Sequence, residues 1–407
     1  MIKGRDIIVV GLQPWDIEIG SNCKDVAQQF ARHNRVLYIN APTDRLTYMR
    51  KGNTAKIQKR KNIRAGKEPA LVELGKDFWT FYPPKLIESV NGLPDGMIFD
   101  FFNRRNSRNF VAQIMPVIRE LGFRDYILFN DTSIYLGYYL KELLKPALSI
   151  YYLRDFVIKN PYWKRHGVRL EPELIAKYDM VLVNSAIYES YSQKYNKRTF
   201  MVGQGLDLSL FNETESEVVV AGDLLPIPKP IVGYAGYLTS RRLDVDLIRY
   251  LAQKRPNLSF VFVGNEDEVF KASDLHDIPN IYFLGHRELE QMPNYIKGFD
   301  VTINPQLYNE ATAGNYPRKV DEYLALGKPV VATVTSAMAA FSDVTYLANS
   351  FETWVDCIDR AFSENSEALI RKRKEVAISH SWEGNIAVIY GCIEKVIEEM
   401  NAEAAAV

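Results

Sequence analysis

Lys319 and Glu322 stand three residues apart in NYPRKVDEYLALGKPVVAT (315–333), so a helix through them projects an ammonium and a carboxylate from one face. Such a pair can neutralise a phosphate with one member and accept hydroxyl hydrogen bonds with the other. Left to itself, it forms an exposed ion pair contributing a few tenths of a kcal/mol. Pro317 suits the first turn of that helix, whose free amides and positive dipole end favour a diphosphate, with Arg318 beside it. Other candidates sit where short apolar runs end. Gly233, Gly236, Gly264 and Gly285 allow close backbone approach; any one of them can simply serve a turn, but four in register point to a ligand crevice. Arg241 and Arg242, in LTSRRLD, are available for phosphate or are plain surface residues. In the first half, Asp155 closes SIYYLRD and is a candidate general base, helix cap or local partner of Arg154. Trp15 and Asp16 follow the first apolar run and are candidates for an acceptor pocket.

Several chemistries lack their signatures. The chain has no G-x-x-x-x-G-K-[ST] loop, H-E-x-x-H, G-x-S-x-G or C-x-x-C, and its first run ends in VVGLQPWD without the G-x-G-x-x-G turn of dinucleotide enzymes. His33, His166, His276, His286 and His380 are scattered without ligand spacing, so no metal site is expected.

The elements that must position these residues are legible as alternation. Apolar, β-branched runs at 6–12, 35–40, 126–130, 149–153 and 180–185 read as buried parallel strands, with amphipathic stretches such as Cys23 to His33 and Glu171 to Tyr178 between them. After the turn-rich GDLLPIPKP (222–230), a second array follows at 231–236, 259–264, 281–285, 300–305, 329–333 and 345–348. This predicts an α/β chain of two Rossmann-like, doubly wound parallel-sheet domains joined near 205–230. In open α/β sheets, ligands bind beyond the carboxyl ends of the strands, where the candidate residues lie. Ser381 to Met400 is helical in pattern.

The chain has 407 residues, 47% hydrophobic and 25% charged, enough for two cores and unlike a disordered chain. Fifty basic residues balance fifty acidic ones, so electrostatic recognition must be local. Cys23, Cys357 and Cys392 form no disulfide or zinc pattern, which suits a reducing cytosol. The opening MIKGRDIIVVGLQPWD lacks a signal-peptide core, and no apolar run is long enough to span a bilayer. Arg45 to Lys67 carries nine Lys or Arg and no acid, and FDFFNRRNSRNF (99–110) adds a second basic, aromatic cluster. These segments read as solvated loops, or as a contact to an anionic membrane with Phe101, Phe102 or Phe110 entering the interface. No nucleic-acid fold accompanies them.

The segment 315–333, with VGYAGYLTSRRLDVDLIRYLAQKRPNLSFVFVG (232–264), NIYFLGHRELEQMPNYIKGFDVTINP (280–305), GLDLSLFN (205–212) and HSWEGNIAVIY (380–390), resembles GT-B glycosyltransferases. The likeness is to the group 1, family 4 type that includes bacterial polysaccharide and teichuronic acid transferases. The first half matches loosely, through PWD (14–16), YYLRD (151–155) and YDMVLVNS (178–185). The resemblance implies an acceptor-binding domain over 1–205, a donor-binding domain over 206–384 and a helix at 385–407 returning to the first, with a cleft between the domains. It implies a metal-independent hexosyltransferase-type enzyme using a UDP- or GDP-linked sugar and a saccharide or lipid-linked acceptor, in cell-surface polysaccharide synthesis. Its place would be the cytoplasm, peripheral on the inner face of the membrane. A nucleotide-sugar epimerase and a non-catalytic sugar-nucleotide-binding scaffold are the alternatives. In that family a carboxylate at the position of Glu322 holds the nucleotide ribose, and Gly236, Arg241, Arg242, Gly264, Gly285, Arg318 and Lys319 belong to the donor site. The usual second glutamate, eight residues earlier, is replaced by Gly314, with Glu310 out of register. Some inverting relatives use an Asp after a similar Tyr-Arg strand as base, which assigns that role to Asp155 and requires Arg154 to point away from it.

Overall fold

The computed structural model describes residues 2–16, 22–50, 54–207, 210–211, 219–309 and 316–405. The chain divides into two compact units, one of Met1–Gly203 with Ile386–Val407 and the other of Gln204–Asn385.

In the first unit the strands are β1 (Asp6–Gly11), β2 (Arg35–Asn40), β3 (Leu71–Gly75), β4 (Phe78–Phe81), β5 (Ile127–Asp131), β6 (Leu148–Leu153), β7 (Met180–Val183) and β8 (Thr199–Met201). They form one sheet in the order β3-β4-β2-β1-β5-β6-β7-β8, parallel except where β3 meets β4. β1, β5, β6 and β7 are buried along their whole length, as their unbroken apolar runs require. The expected strands are all present. β3, β4 and β8 were not expected: LVELG is exposed at the sheet edge, the β3–β4 turn places Asp77 at φ 60°, and β8 has three residues. The order reverses between β1 and β5, so the crevice beyond Gly11 and Asp131 is this sheet's ligand position.

The second unit carries β9 (Ile231–Ala235), β10 (Ser259–Val263), β11 (Ile281–Gly285), β12 (Val301–Asn304), β13 (Val330–Thr333) and β14 (Tyr346–Ala348), parallel, in the order β11-β10-β9-β12-β13-β14. All six match the sequence pattern. The reversal falls between β9 and β12, beside Gly236.

Two helical expectations change. The stretch expected as a helix from Glu171 belongs to a longer helix, Pro161–Lys177, which tolerates Pro172 inside it and turns His166 and Glu171 into the core. The basic segment 45–67 contains two helices, Arg45–Arg50 and Ala55–Arg64, where a loop was expected. The C-terminal helix Trp382–Ala405 starts in the second unit and continues in the first, where Tyr390 stacks on Phe30 at 5.8 Å and its hydroxyl accepts from Asn34 Nδ2 at 2.9 Å. No helix among the described residues is long and apolar enough to cross a membrane.

Candidate active site

In the second unit the ends of β9, β10 and β11 are stitched together through glycine. Gly236 N donates to the Val263 carbonyl at 2.7 Å, and Gly264 N to the Gly285 carbonyl at 2.8 Å. Gly236 and Gly264 lie at φ 143° and 149°, where side chains are strained. A Cβ on Gly264 would overlap the Gly236 carbonyl, and one on Gly236 would overlap the Lys319 ammonium. These glycines therefore make room for backbone and for a cation.

That cation comes from the helix Arg318–Ala325, which Pro317 precedes directly. The helix is fixed from below by fully buried Tyr323, whose hydroxyl accepts from Ala235 N at 2.9 Å. Lys319 and Glu322 share its upper face. Lys319 lies over the Tyr234 ring, 5.6 Å from its centroid. Neither Lys319 nor Glu322 forms a hydrogen bond or ion pair with another described residue, so the bland expectation of an i,i+3 pair is not met. Burial pushes the Lys319 ammonium down from its ordinary range, with Arg242 and Arg318 adding to the effect and Glu322 opposing it. Burial likewise pushes the Glu322 carboxyl up, against the pull of Lys319 and Arg318. A cation and a carboxylate that are hard to keep charged, with no hydrogen-bond or ion-pair partner among the described residues, are arranged to meet a ligand carrying both phosphate and hydroxyls.

The other predicted residues divide. Arg242 is exposed, yet its charge is felt at Lys319 and Tyr234. Its carbonyl accepts from Leu307 N at 2.7 Å, which ties its loop to the chain beyond β12. The neighbouring Arg241 is exposed, and its backbone N donates to Thr239 Oγ1. Gly285 closes β11 at φ 71°. Glu310 and Gly314 lie outside the described residues.

In the first unit a second polar cluster stands at the sheet's carboxyl edge. Asp131, fully buried at the end of β5, receives Arg154 Nε at 2.8 Å and Nη2 at 3.1 Å. The third guanidinium nitrogen, Nη1, donates to Asp155 at 2.7 Å. The expectation that Arg154 points away from Asp155 is thus corrected: anchored by Asp131, the guanidinium can reach both carboxylates at once. Asp155 is therefore a half-exposed, ion-paired carboxylate.

Trp15 and Asp16 are engaged internally. Asp16 receives both terminal nitrogens of buried Arg60 at 3.1 Å, and Trp15 packs edge-on against Tyr38 and Phe78. Burial alone would raise the Asp16 carboxyl, but Arg60 and Lys59 hold it below its ordinary value. Its two oxygens serve to anchor the helix Ala55–Arg64.

Residues 229–363, from the approach to β9 through the helix Phe351–Ser363, match the family of group 1 glycosyl transferases. This stretch is similar to a group 1 glycosyltransferase domain. The putative teichuronic acid biosynthesis glycosyltransferase TuaH of Bacillus subtilis (strain 168) is 26% identical to the chain over 161 residues, 37% of this chain and 40% of that protein. The match therefore spans about two fifths of the relative's length. Among solved structures, Anabaena Alr3699/HepE in complex with UDP and glucose aligns with a TM-score of 0.62 at 14% identity, covering 99% of this chain and 100% of that one. The α,α-trehalose 6-phosphate synthase of Burkholderia multivorans aligns with a TM-score of 0.66 at 10% identity, covering 99% and 100%. At such identities the likeness carries the fold, which is GT-B.

Within the second unit, sequence reasoning missed Asp321. Its carboxylate is buried on the opposite side of the helix from Lys319 and receives His380 Nδ1 at 2.8 Å. Next to His380, Ser381 forms a short parallel bridge with Leu206, whose N donates to the His380 carbonyl at 2.8 Å. Helix and His380 are 59 residues apart, so no spacing could reveal the pair. Asp131 was legible only as a charge closing the apolar run YILFND.

Proposed function

We propose that the chain is a glycosyltransferase that moves a hexose from a UDP-linked donor to a saccharide or lipid-linked acceptor in cell-surface polysaccharide synthesis, without a metal ion. The observation that carries this reading is the Lys319–Glu322 pair, without a hydrogen-bond or ion-pair partner among the described residues and with Lys319 set against Gly236, in a stretch similar to group 1 glycosyltransferases. Lys319, with Arg242 and Arg318 nearby and the helix N-terminus behind it, is suited to hold the diphosphate and to stabilise the negative charge that grows on it as the glycosidic bond breaks. Glu322 is suited to accept hydrogen bonds from the ribose hydroxyls. UDP is the preferred nucleotide because HepE was solved with UDP and glucose.

The acceptor is assigned to the first unit. Asp155, ion-paired to Arg154, is proposed to orient the acceptor hydroxyl through a hydrogen bond. The protein is proposed to work in the cytoplasm on an anionic membrane surface. The supporting face is the helix Met97–Glu120, where Met97, Ile98 and Phe101 are 90%, 52% and 64% exposed and Arg104, Arg105 and Arg108 lie on the same side. Those three arginines pair with no acidic residue among the described ones. Phe110, expected at that interface, is fully buried in the core, so it is removed from the membrane-facing set.

Incubation with radiolabelled UDP-sugars and a panel of lipid-linked and free saccharide acceptors tests the function. A product that requires both substrates supports transfer. Conversion of the donor sugar alone, or binding of UDP-sugars without any product, contradicts it.

A further inference from the structure

Beyond the carboxyl ends of β1, β2 and β5, the first unit encloses a cavity of about 220 Å³ that none of the residues discussed above as catalytic or donor-binding lines. Leu12 follows β1 in its wall, Ala41 and Pro42 follow β2, and Ser133 lies two residues past β5. This is the edge where doubly wound sheets place ligands. We infer that the cavity is a binding site for one neutral, hydroxylated sugar ring, the terminal residue of the acceptor; the assignment to an acceptor rests on the function proposed above.

Three features select that ligand. The first is shape and surface. Tyr135 and Trp163 meet with ring centroids 4.9 Å apart and line the cavity beside Ile87 and Leu136, which offers an apolar face to the C–H side of a pyranose. The volume falls below the roughly 300–1,000 Å³ of pockets for drug-sized ligands, so it suits a single ring.

The second is a buried acceptor without a donor. Asn103, on the Met97–Glu120 helix, is 1% exposed. Its Nδ2 donates to the Tyr135 carbonyl at 2.9 Å, which fixes the amide's orientation. Asn103 lines the cavity, and its buried Oδ1 has no hydrogen-bond partner. Buried polar atoms are nearly always paired, and a sugar hydroxyl would donate to this one.

The third is charge. No Lys or Arg is among the described lining residues, and the lining includes Asp44 and Glu88. Glu88 is turned to Arg45 at 2.8 Å, while Asp44 is occupied by Ser89 and by Thr47 N. A phosphate or a uronate would meet carboxylates here with no cation in the lining to pair with, Arg45 being taken by Glu88, so a charged sugar is disfavoured.

Saturation-transfer NMR on the full chain tests this, with methyl glucoside, methyl galactoside and methyl N-acetylglucosaminide as neutral probes, glucose 6-phosphate and glucuronate as charged ones, and 1-hexanol as an apolar one. At least one neutral glycoside is expected to bind more tightly than the charged sugars. Trp163→Ala and Asn103→Leu are each expected to weaken it about tenfold, the scale of one lost stacking surface or hydrogen bond. UDP binding, measured on the same samples, should stay unchanged and reports that the variants are folded. Preference for a charged sugar, binding of hexanol alone, or equal glycoside binding in both folded variants overturns the inference. Loss of UDP binding in the unmodified protein with glycoside binding retained would instead overturn the donor assignment and leave this site standing.

Discussion

Glu171 allows a stability prediction to be worked from the structure. The side chain is fully buried in the Pro161–Lys177 helix, with Tyr151 Oη donating to it at 3.1 Å. Burial pushes its carboxyl up to about 7 from 4.5, against the smaller opposing pull of Tyr151 and Tyr191. A carboxyl whose folded value lies above its unfolded one stabilises the fold below the unfolded value and loses that contribution as pH rises through the folded one. The gap is about 2.5 pH units, which at about 1.36 kcal/mol each gives roughly 3 kcal/mol, present below about pH 4.5 and gone above about pH 7. Glu171→Gln keeps the shape and removes the titration. Denaturant midpoints of both proteins between pH 4.5 and 8 should show the native protein losing about 3 kcal/mol relative to the variant as pH rises. A difference that stays constant, or one that moves in the native protein's favour at high pH, would refute the reasoning.

Three further outcomes are expected. Gly236→Ala places a methyl on the Lys319 ammonium at φ 143°, so it should cost about 1–3 kcal/mol of stability and weaken UDP binding; a stable variant with native affinity, by thermal shift, would show the glycine to be dispensable. Asp131→Asn leaves the Arg154 guanidinium without its buried counter-charge and should destabilise the protein by about 3–5 kcal/mol in urea denaturation, whereas a loss below about 1 kcal/mol would mean that the pair is not the anchor described. Sedimentation with anionic vesicles should fall as salt rises and should drop when Arg104, Arg105 and Arg108 are all replaced by Ser; equal recovery with neutral and anionic vesicles contradicts the membrane face.

Much of the fold was legible because buried parallel strands leave unbroken apolar runs: all six strands of the second unit and five of eight in the first stood out. The missed strands are short or at an edge, where half the side chains face water and the pattern fades. Lys319 and Glu322 were legible through helical spacing, and the glycines through their place at strand ends. The partners of the first-unit residues were not. That Arg154 would clamp Asp155, and that Arg60 would occupy Asp16, depends on contacts between elements 23 to 44 residues apart or on a rotamer choice beside Asp131, which no periodicity encodes. The same limit hid the Asp321–His380 pair. Phe110 was misplaced because a run of aromatics and arginines was taken together, whereas a helix separates its residues by face: Phe101 outward, Phe110 inward.

The central claim is that Glu322 and Lys319 hold the nucleotide of the donor. Titration calorimetry of UDP against the native protein and Glu322→Ala, with folding of the variant checked by circular dichroism, tests it most directly. UDP should bind the native protein, and the variant should bind about 10- to 100-fold more weakly, the cost of about 1.5–3 kcal/mol for hydrogen bonds to a charged group. Unchanged affinity in a folded Glu322→Ala protein would contradict the account.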